Sequence, residues 1–145
     1  MAGPPGGRFV FGRPATYRNE VPPVPGLVGH SELIVSQDDT AIACRSGDVA
    51  VLSTPRIAAL CEEAAVNAIV DRLGDDETSV GMRIQLDHLT PSAIGSSITA
   101  DAKLEKVEGH RLVFSVSVND DRGLVAAGKI LRVIVDRETF LDKCR

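Results

Sequence analysis

Ser53-Thr54-Pro55-Arg56-Ile57-Ala58-Ala59-Leu60-Cys61-Glu62-Glu63-Ala64-Ala65-Val66-Asn67-Ala68-Ile69-Val70-Asp71-Arg72-Leu73-Gly74 carries its own start and stop signals, and the hydrophobic period changes after it. Ser53 or Thr54 suits a helix N-cap, and Pro55 suits the first helical position. Gly74 suits the residue just past a helix end. Between them Arg56 to Leu73 is rich in Ala, Leu, Ile, Val and Glu, so one long helix is expected. Asp75-Asp76-Glu77 then forms a polar link.

Beyond the link the period falls from 3.6 to 2, the signature of strands. Val80, Met82, Ile84, Leu86 and His88 alternate with Gly81, Arg83, Gln85 and Asp87, and this row is expected to face the helix. A second run holds Ile98, Ala100, Ala102 and Leu104. A third, after the turn Glu108-Gly109, holds Leu112, Phe114, Val116 and Val118. A fourth runs from Leu124 to Val135, after the turn Asn119 to Gly123. Before the helix, Gly29 to Ala41 contains Leu33-Ile34-Val35 and reads as a strand, followed by a loop from Cys44 to Ser53. The order strand, helix, four antiparallel strands implies an α+β domain whose sheet curls around its single long helix.

Residues 1–28 hold Pro4, Pro5, Pro14, Pro22, Pro23 and Pro25 with several glycines, and are expected to form a Pro/Gly-rich arm ahead of a domain spanning 29–145. The 145 residues carry 16 Lys plus Arg against 20 Asp plus Glu, a net charge of −4, with the basic residues scattered. That pattern argues against nucleic acid, which demands a concentrated basic face. Aromatic residues make up only 3%, so base-stacking platforms are not expected either. No apolar run is long enough to span a bilayer, and no secretory signal is visible, so a cytoplasmic protein without membrane association is expected. Cys44, Cys61 and Cys144, an odd and sparse set, read as reduced thiols. The acidic pairs Asp38-Asp39, Asp75-Asp76 and Asp120-Asp121 read as turns, so neither a metal site nor a cofactor is expected.

Two ionisable residues stand on faces where apolar residues belong. On a helical wheel with Glu63 at zero, Arg56, Asn67 and Asp71 fall at about 20°, 40° and 80°, a solvated stripe. Glu62 falls at about 260°, between Ile69 and Val66 on the apolar side. His88 continues the Val80 to Leu86 row. A carboxylate and an imidazole meeting in a dry cleft are equipped for general acid–base or nucleophilic chemistry, and a structural Glu–His pair is the alternative. Thr54 is a third candidate beside its simpler reading as a cap. Eight residues of helix rise about 12 Å, so Thr54 and Glu62 cannot touch along one continuous helix. The N–H groups of Arg56 and Ile57 at the helix start are candidate donors to a developing oxyanion. His30 and His110 read as surface residues, with His110 or Arg111 as a candidate phosphate contact.

Several pieces of Ser46 to Phe140 resemble the hot-dog thioesterases of the fluoroacetyl-CoA thioesterase-like family. They are Leu52-Ser53-Thr54-Pro55, Ala59-Leu60-Cys61-Glu62, Val80-Gly81, His88-Leu89-Thr90-Pro91, Val107 to Leu112 and Ala127-Gly128. The resemblance implies a hot-dog fold, a homodimer, with a tetramer as the alternative, and acyl-CoA bound between subunits. It implies a catalytic set of Thr54, Glu62 and His88. In it Glu62 acts as nucleophile or general base, His88 handles protons, and Thr54 orients the carboxylate or the acyl group. Gly81 matches a family glycine near the thioester. The fluoroacetyl-specific member resembles this chain but has phenylalanines ahead of the threonine, whereas Arg45 to Leu52 contains no aromatic residue. A small or medium acyl-CoA is therefore the expected substrate. A non-catalytic protein binding acyl-CoA or another hydrophobic ligand is the rival reading, because fold does not fix function. A hot-dog hydratase ranks behind both, since Asp48 has no histidine between it and the helix.

Overall fold

The computed structural model describes residues 21–145. Five strands, β1 (Val28–Ile34), β2 (Glu77–His88), β3 (Ser97–Glu108), β4 (Arg111–Asp120) and β5 (Gly123–Asp136), form one antiparallel sheet in the order β1-β3-β4-β5-β2. The long helix α1 (Thr54–Ile69) lies across one face of it, and a short helix α2 (Arg137–Asp142) ends the chain. This is the α+β, hot-dog arrangement. No helix among the described residues is long and apolar enough to cross a membrane.

α1 starts where its residues direct. Ser53 is the N-cap, its side-chain oxygen accepting from Arg56 N–H, and Pro55 sits in the first turn, where its missing N–H costs nothing. The helix stops at Ile69, and Val70–Arg72 tightens into a 3-10 turn before Gly74. Its buried face is small. Ala64, Ala65 and Ala68 let β1 come so close that a Cβ on Gly29 would collide with Ala64 O and Ala68 N. Ile57, Leu60 and Ile69 interlock with Ile98, Leu104, Leu112, Phe114 and Ile130 of the sheet. Each such side chain withdrawn from water contributes about 1.5–3 kcal/mol before the entropy of ordering is subtracted.

β1 ends at Ile34, well short of Ala41, and the chain turns through Gln37–Asp39 instead. The last residues assigned to the arm are part of the domain. Gly26 N–H donates to Leu104 O, Leu104 N–H donates to Leu27 O, and Pro23 is buried. The arm up to residue 20 lies outside the described residues.

The row Val80 to His88 does not face the helix as one row. β2 pairs with β5 as Gly81↔Arg132 and then Arg83↔Leu131, so Met82 is an extra residue in a bulge. A bulge shifts the alternation by one. Ile84, Leu86 and His88 share the helix side with Ile130, Gly128 and Ala126, whereas upstream that side belongs to Gly81 and Ser79, opposite Arg132 and Ile134. Val80 is turned to the other face. β2 is also an edge strand, with Met82 49% and Ile84 38% exposed.

Candidate active site

The start of α1 meets the end of β2. Thr54 Oγ1 lies 2.8 Å from His88 Nδ1. The other ring nitrogen, Nε2, is buried and has no hydrogen-bond partner among the described residues. A buried polar atom left unpaired calls for an explanation. His88 also opens onto a shallow crevice of about 220 Å³ formed with Val51, Leu89, Thr90 and Pro91. The backbone behind it is fixed: Leu89 and Thr90 both donate to Val125 O, and Arg122 donates to Pro91 O at 2.8 Å.

Two turns along α1, Glu62 faces the upstream part of β2. Its Oε2 accepts from Arg132 Nη1 at 3.0 Å and lies so close to Gly81 that a Cβ there would overlap it. Gly81 is thus a glycine because the carboxylate takes the place of its side chain. Arg132 is held in turn by Ser79, with Nε donating to the hydroxyl at 2.9 Å and Nη2 to the carbonyl at 2.8 Å. Arg132 is the more deeply buried partner, its side chain 8% exposed against 33% for Glu62. Burial pulls the guanidinium below its ordinary range, and Glu62 pulls it back up. What satisfies the misplaced carboxylate is therefore an arginine rather than the histidine. Sequence reading missed Arg132, although it left a signal: it shares the parity of Ile130 and Ile134, a charge in the buried row of the last strand.

Thr54 and His88 are brought together, and so are Glu62, Gly81 and Arg132, but the two groups stand apart in one chain. α1 is continuous from Thr54 to Ile69, which separates Thr54 from Glu62 by about 12 Å along its axis. On β2, six strand rises between Gly81 and His88 amount to about 20 Å.

The helix-start donors expected from Arg56 and Ile57 are already used. Arg56 N–H donates to Ser53 Oγ at 3.1 Å, and Ile57 N–H donates to Ser53 O at 3.1 Å with its side chain fully buried. The Arg56 side chain is also engaged, donating to Asp39 Oδ1 at 3.1 Å. Asp39 is itself buried and accepts from Ser36 N–H and Oγ. This bracket fixes the segment ahead of α1 and was not foreseen. His110 and Arg111 are exposed at the β3–β4 turn. His110 lines a different cavity, about 410 Å³, with Glu77, Ile134, Asp136, Phe140 and Lys143, and neither residue joins Thr54, Glu62 or His88. His30 is a surface residue paired with Asp101. Cys61, next to Glu62, is fully buried, and burial followed by the Glu62 charge pushes its thiol up to about 12.

The family described as fluoroacetyl-CoA-specific thioesterase matches residues 35–138. Fluoroacetyl-CoA thioesterase of Streptantibioticus cattleyicolor is 33% identical over 95 residues, 66% of this chain and 68% of that protein. A solved structure of a fluoroacetyl-CoA thioesterase superposes with a TM-score of 0.80 at 26% identity, covering 85% of this chain and 96% of the other. A hot-dog-like protein from Thermanaerovibrio acidaminovorans gives 0.78 at 29% identity, covering 87% and 93%. A thioesterase superfamily member from Thermus thermophilus gives 0.79 at 23% identity over 86% and 92%, a likeness of fold.

Proposed function

The chain belongs to the fluoroacetyl-CoA-specific thioesterase family and is an acyl-CoA thioester hydrolase, and from that premise we propose that Glu62, His88 and Thr54 carry out the hydrolysis of a small or medium acyl-CoA in a site shared by two subunits. The observation that carries this reading is the separation of Glu62 from His88. One thioester carbonyl cannot touch two groups about 20 Å apart along a strand. A second copy of the chain removes the obstacle. Among the described residues β2 is an edge strand of the sheet and carries exposed apolar side chains, the feature that invites strand pairing. If two β2 strands pair antiparallel about a two-fold axis through Gln85, Ile84 faces Leu86 of the partner subunit, Arg83 faces the partner's Asp87, and Met82 is passed over as the extra residue of the bulge. Gly81 then stands opposite His88 of the partner subunit, and Glu62, packed on Gly81, comes within reach of that imidazole. Two equivalent sites result, as two-fold symmetry requires.

The chemistry follows from the hydrogen bonds. Arg132 fixes Glu62 Oε2, the oxygen that lies over Gly81, and Oε1 has no hydrogen-bond partner among the described residues. Oε1 takes a proton from water, and the water oxygen adds to the thioester carbon. As the tetrahedral species collapses, the C–S bond breaks and the sulfur leaves with its electron pair. His88 delivers a proton to that sulfur, giving free CoA and a carboxylic acid. Thr54 governs which proton His88 has to give. When Thr54 donates to Nδ1, Nε2 carries the proton and serves as acid. When Nδ1 donates to Thr54 Oγ1, Nε2 carries a lone pair and serves as base. Rotation of one hydroxyl lets the imidazole serve both directions of transfer.

The test is CoA release from a panel of acyl-CoA thioesters by wild type, Glu62→Gln and His88→Ala. General acid–base groups contribute about 10²–10⁴-fold each, so both variants are expected to lose at least 10²-fold in kcat. Three equal rates would refute the assignment.

A further inference from the structure

We infer that the crevice beside His88 is the acyl-chain site and that it selects an uncharged aliphatic acyl group longer than acetyl. This deepens the thioesterase reading and rests on it. The walls are Val51, Leu89, Pro91 and Thr90, and His88 is the only ionisable side chain among them. Val51 is held by its backbone bridge to Ala93, and Leu89 by its N–H bond to Val125 O, so both walls are fixed from behind. Leu89 nevertheless leaves 61% of its surface exposed, and Ile94, in the same β2–β3 connection, leaves 51%. Apolar walls, one of them the exposed Leu89, beside the His88 imidazole are the lining of a site that an apolar group fills.

Size and charge narrow the ligand. The crevice measures about 220 Å³, room for about seven groups the size of a water molecule or a methylene at about 30 Å³ each. Acyl chains up to about hexanoyl fit within that space. No cationic side chain lines it, so a terminal carboxylate such as that of a dicarboxylic acyl group would lose its hydration without gaining a partner. Each methylene buried here is expected to raise kcat/KM about fourfold until the crevice is full.

The experiment measures kcat/KM for acetyl-, butyryl-, hexanoyl- and succinyl-CoA with wild type, Leu89→Trp and Val51→Phe. Leu89 is exposed enough for the larger ring to be accommodated without unfolding the chain, and the solution mass of each protein is measured alongside. In wild type, hexanoyl-CoA is expected to exceed acetyl-CoA by at least tenfold, and succinyl-CoA is expected to fall below butyryl-CoA. In each variant the hexanoyl-to-acetyl ratio is expected to drop at least tenfold. Acetyl- or succinyl-CoA as the best wild-type substrate would overturn the proposal. An unchanged ratio in both variants would also overturn it, and if accompanied by a change in mass would assign the crevice to subunit contact. A wild type that hydrolyses none of the four would refute the thioesterase reading itself, and this inference with it.

Discussion

The Glu62 carboxylate occupies the space that a side chain on Gly81 would fill. Gly81 does not have a left-handed backbone conformation that would demand glycine. Its lack of a side chain therefore serves the neighbour rather than the turn of the chain. Gly81→Ala is expected to fold normally, because the overlapping atom is the end of a flexible side chain. The displaced carboxylate is expected to lower kcat about 10²-fold, the loss that follows misplacement of a reacting group by about 1 Å. Thermal unfolding and steady-state kinetics on one preparation check this, and unchanged kcat would contradict it.

Arg132 holds Glu62 through one nitrogen while its other two bind Ser79. Lysine has one ammonium and cannot reproduce that fork. Arg132→Lys is therefore expected to lose at least tenfold in kcat with a small change in KM. Arg132→Met is expected to lose more, because Glu62 is left half-buried and unpaired. The readout is the split between kcat and KM in the acyl-CoA assay, and a pure KM effect would contradict the positioning role.

The Asp39 bracket gives the fold a dependence on acid. Burial alone would raise this carboxyl, but the bonds from Ser36 and Arg56 outweigh it and hold it below its ordinary value. A carboxyl depressed in the folded state adds stability above its unfolded pKa of about 3.9, and loses it as pH falls through the folded value. Asp39→Asn is therefore expected to cost about 1–3 kcal/mol at pH 7. The gap to wild type is expected to narrow below about pH 4. Urea unfolding at pH 7 and pH 3 measures both quantities. A gap that stays constant would assign the effect to packing.

The cysteines are expected to differ in reactivity. Cys144 is exposed and Cys61 is fully buried, with its thiol pushed up to about 12. The thiolate is the reactive form. At pH 8 the native protein is expected to give up Cys144 quickly to a thiol reagent and to release Cys61 only on unfolding, as peptide mapping of labelled protein would show. Rapid labelling of Cys61 in the folded state would mean that α1 opens readily.

Local signals made much of this molecule legible in advance. Ser53 and Pro55 announce where α1 begins, and the period-2 runs announce four strands. Wrong-face placement singled out Glu62 and His88, which do lie on the helix side of the sheet. The inserted Met82 was not legible, because a bulge is an event of pairing with β5 and leaves the alternation of β2 looking regular to the eye. It is what exchanges Val80 for Gly81 on the helix side. Arg132 was hidden among the apolar residues of β5, where its meaning depended on a partner 70 positions earlier. The helix-start donors were misjudged because Ser53 uses both its side chain and its carbonyl to satisfy them.

In the proposed shared site, Glu62 of one subunit works with His88 of the other. The direct measurement mixes Glu62→Gln and His88→Ala subunits, each inactive alone, unfolds and refolds them together at equal concentration, and assays CoA release. In a mixed dimer one site combines both substitutions and the other combines both native residues. Random pairing makes half of the dimers mixed, so recovery of roughly a quarter of wild-type activity is predicted. A mixture as inactive as its parents would mean that each site is built within one chain and would contradict a site shared between subunits.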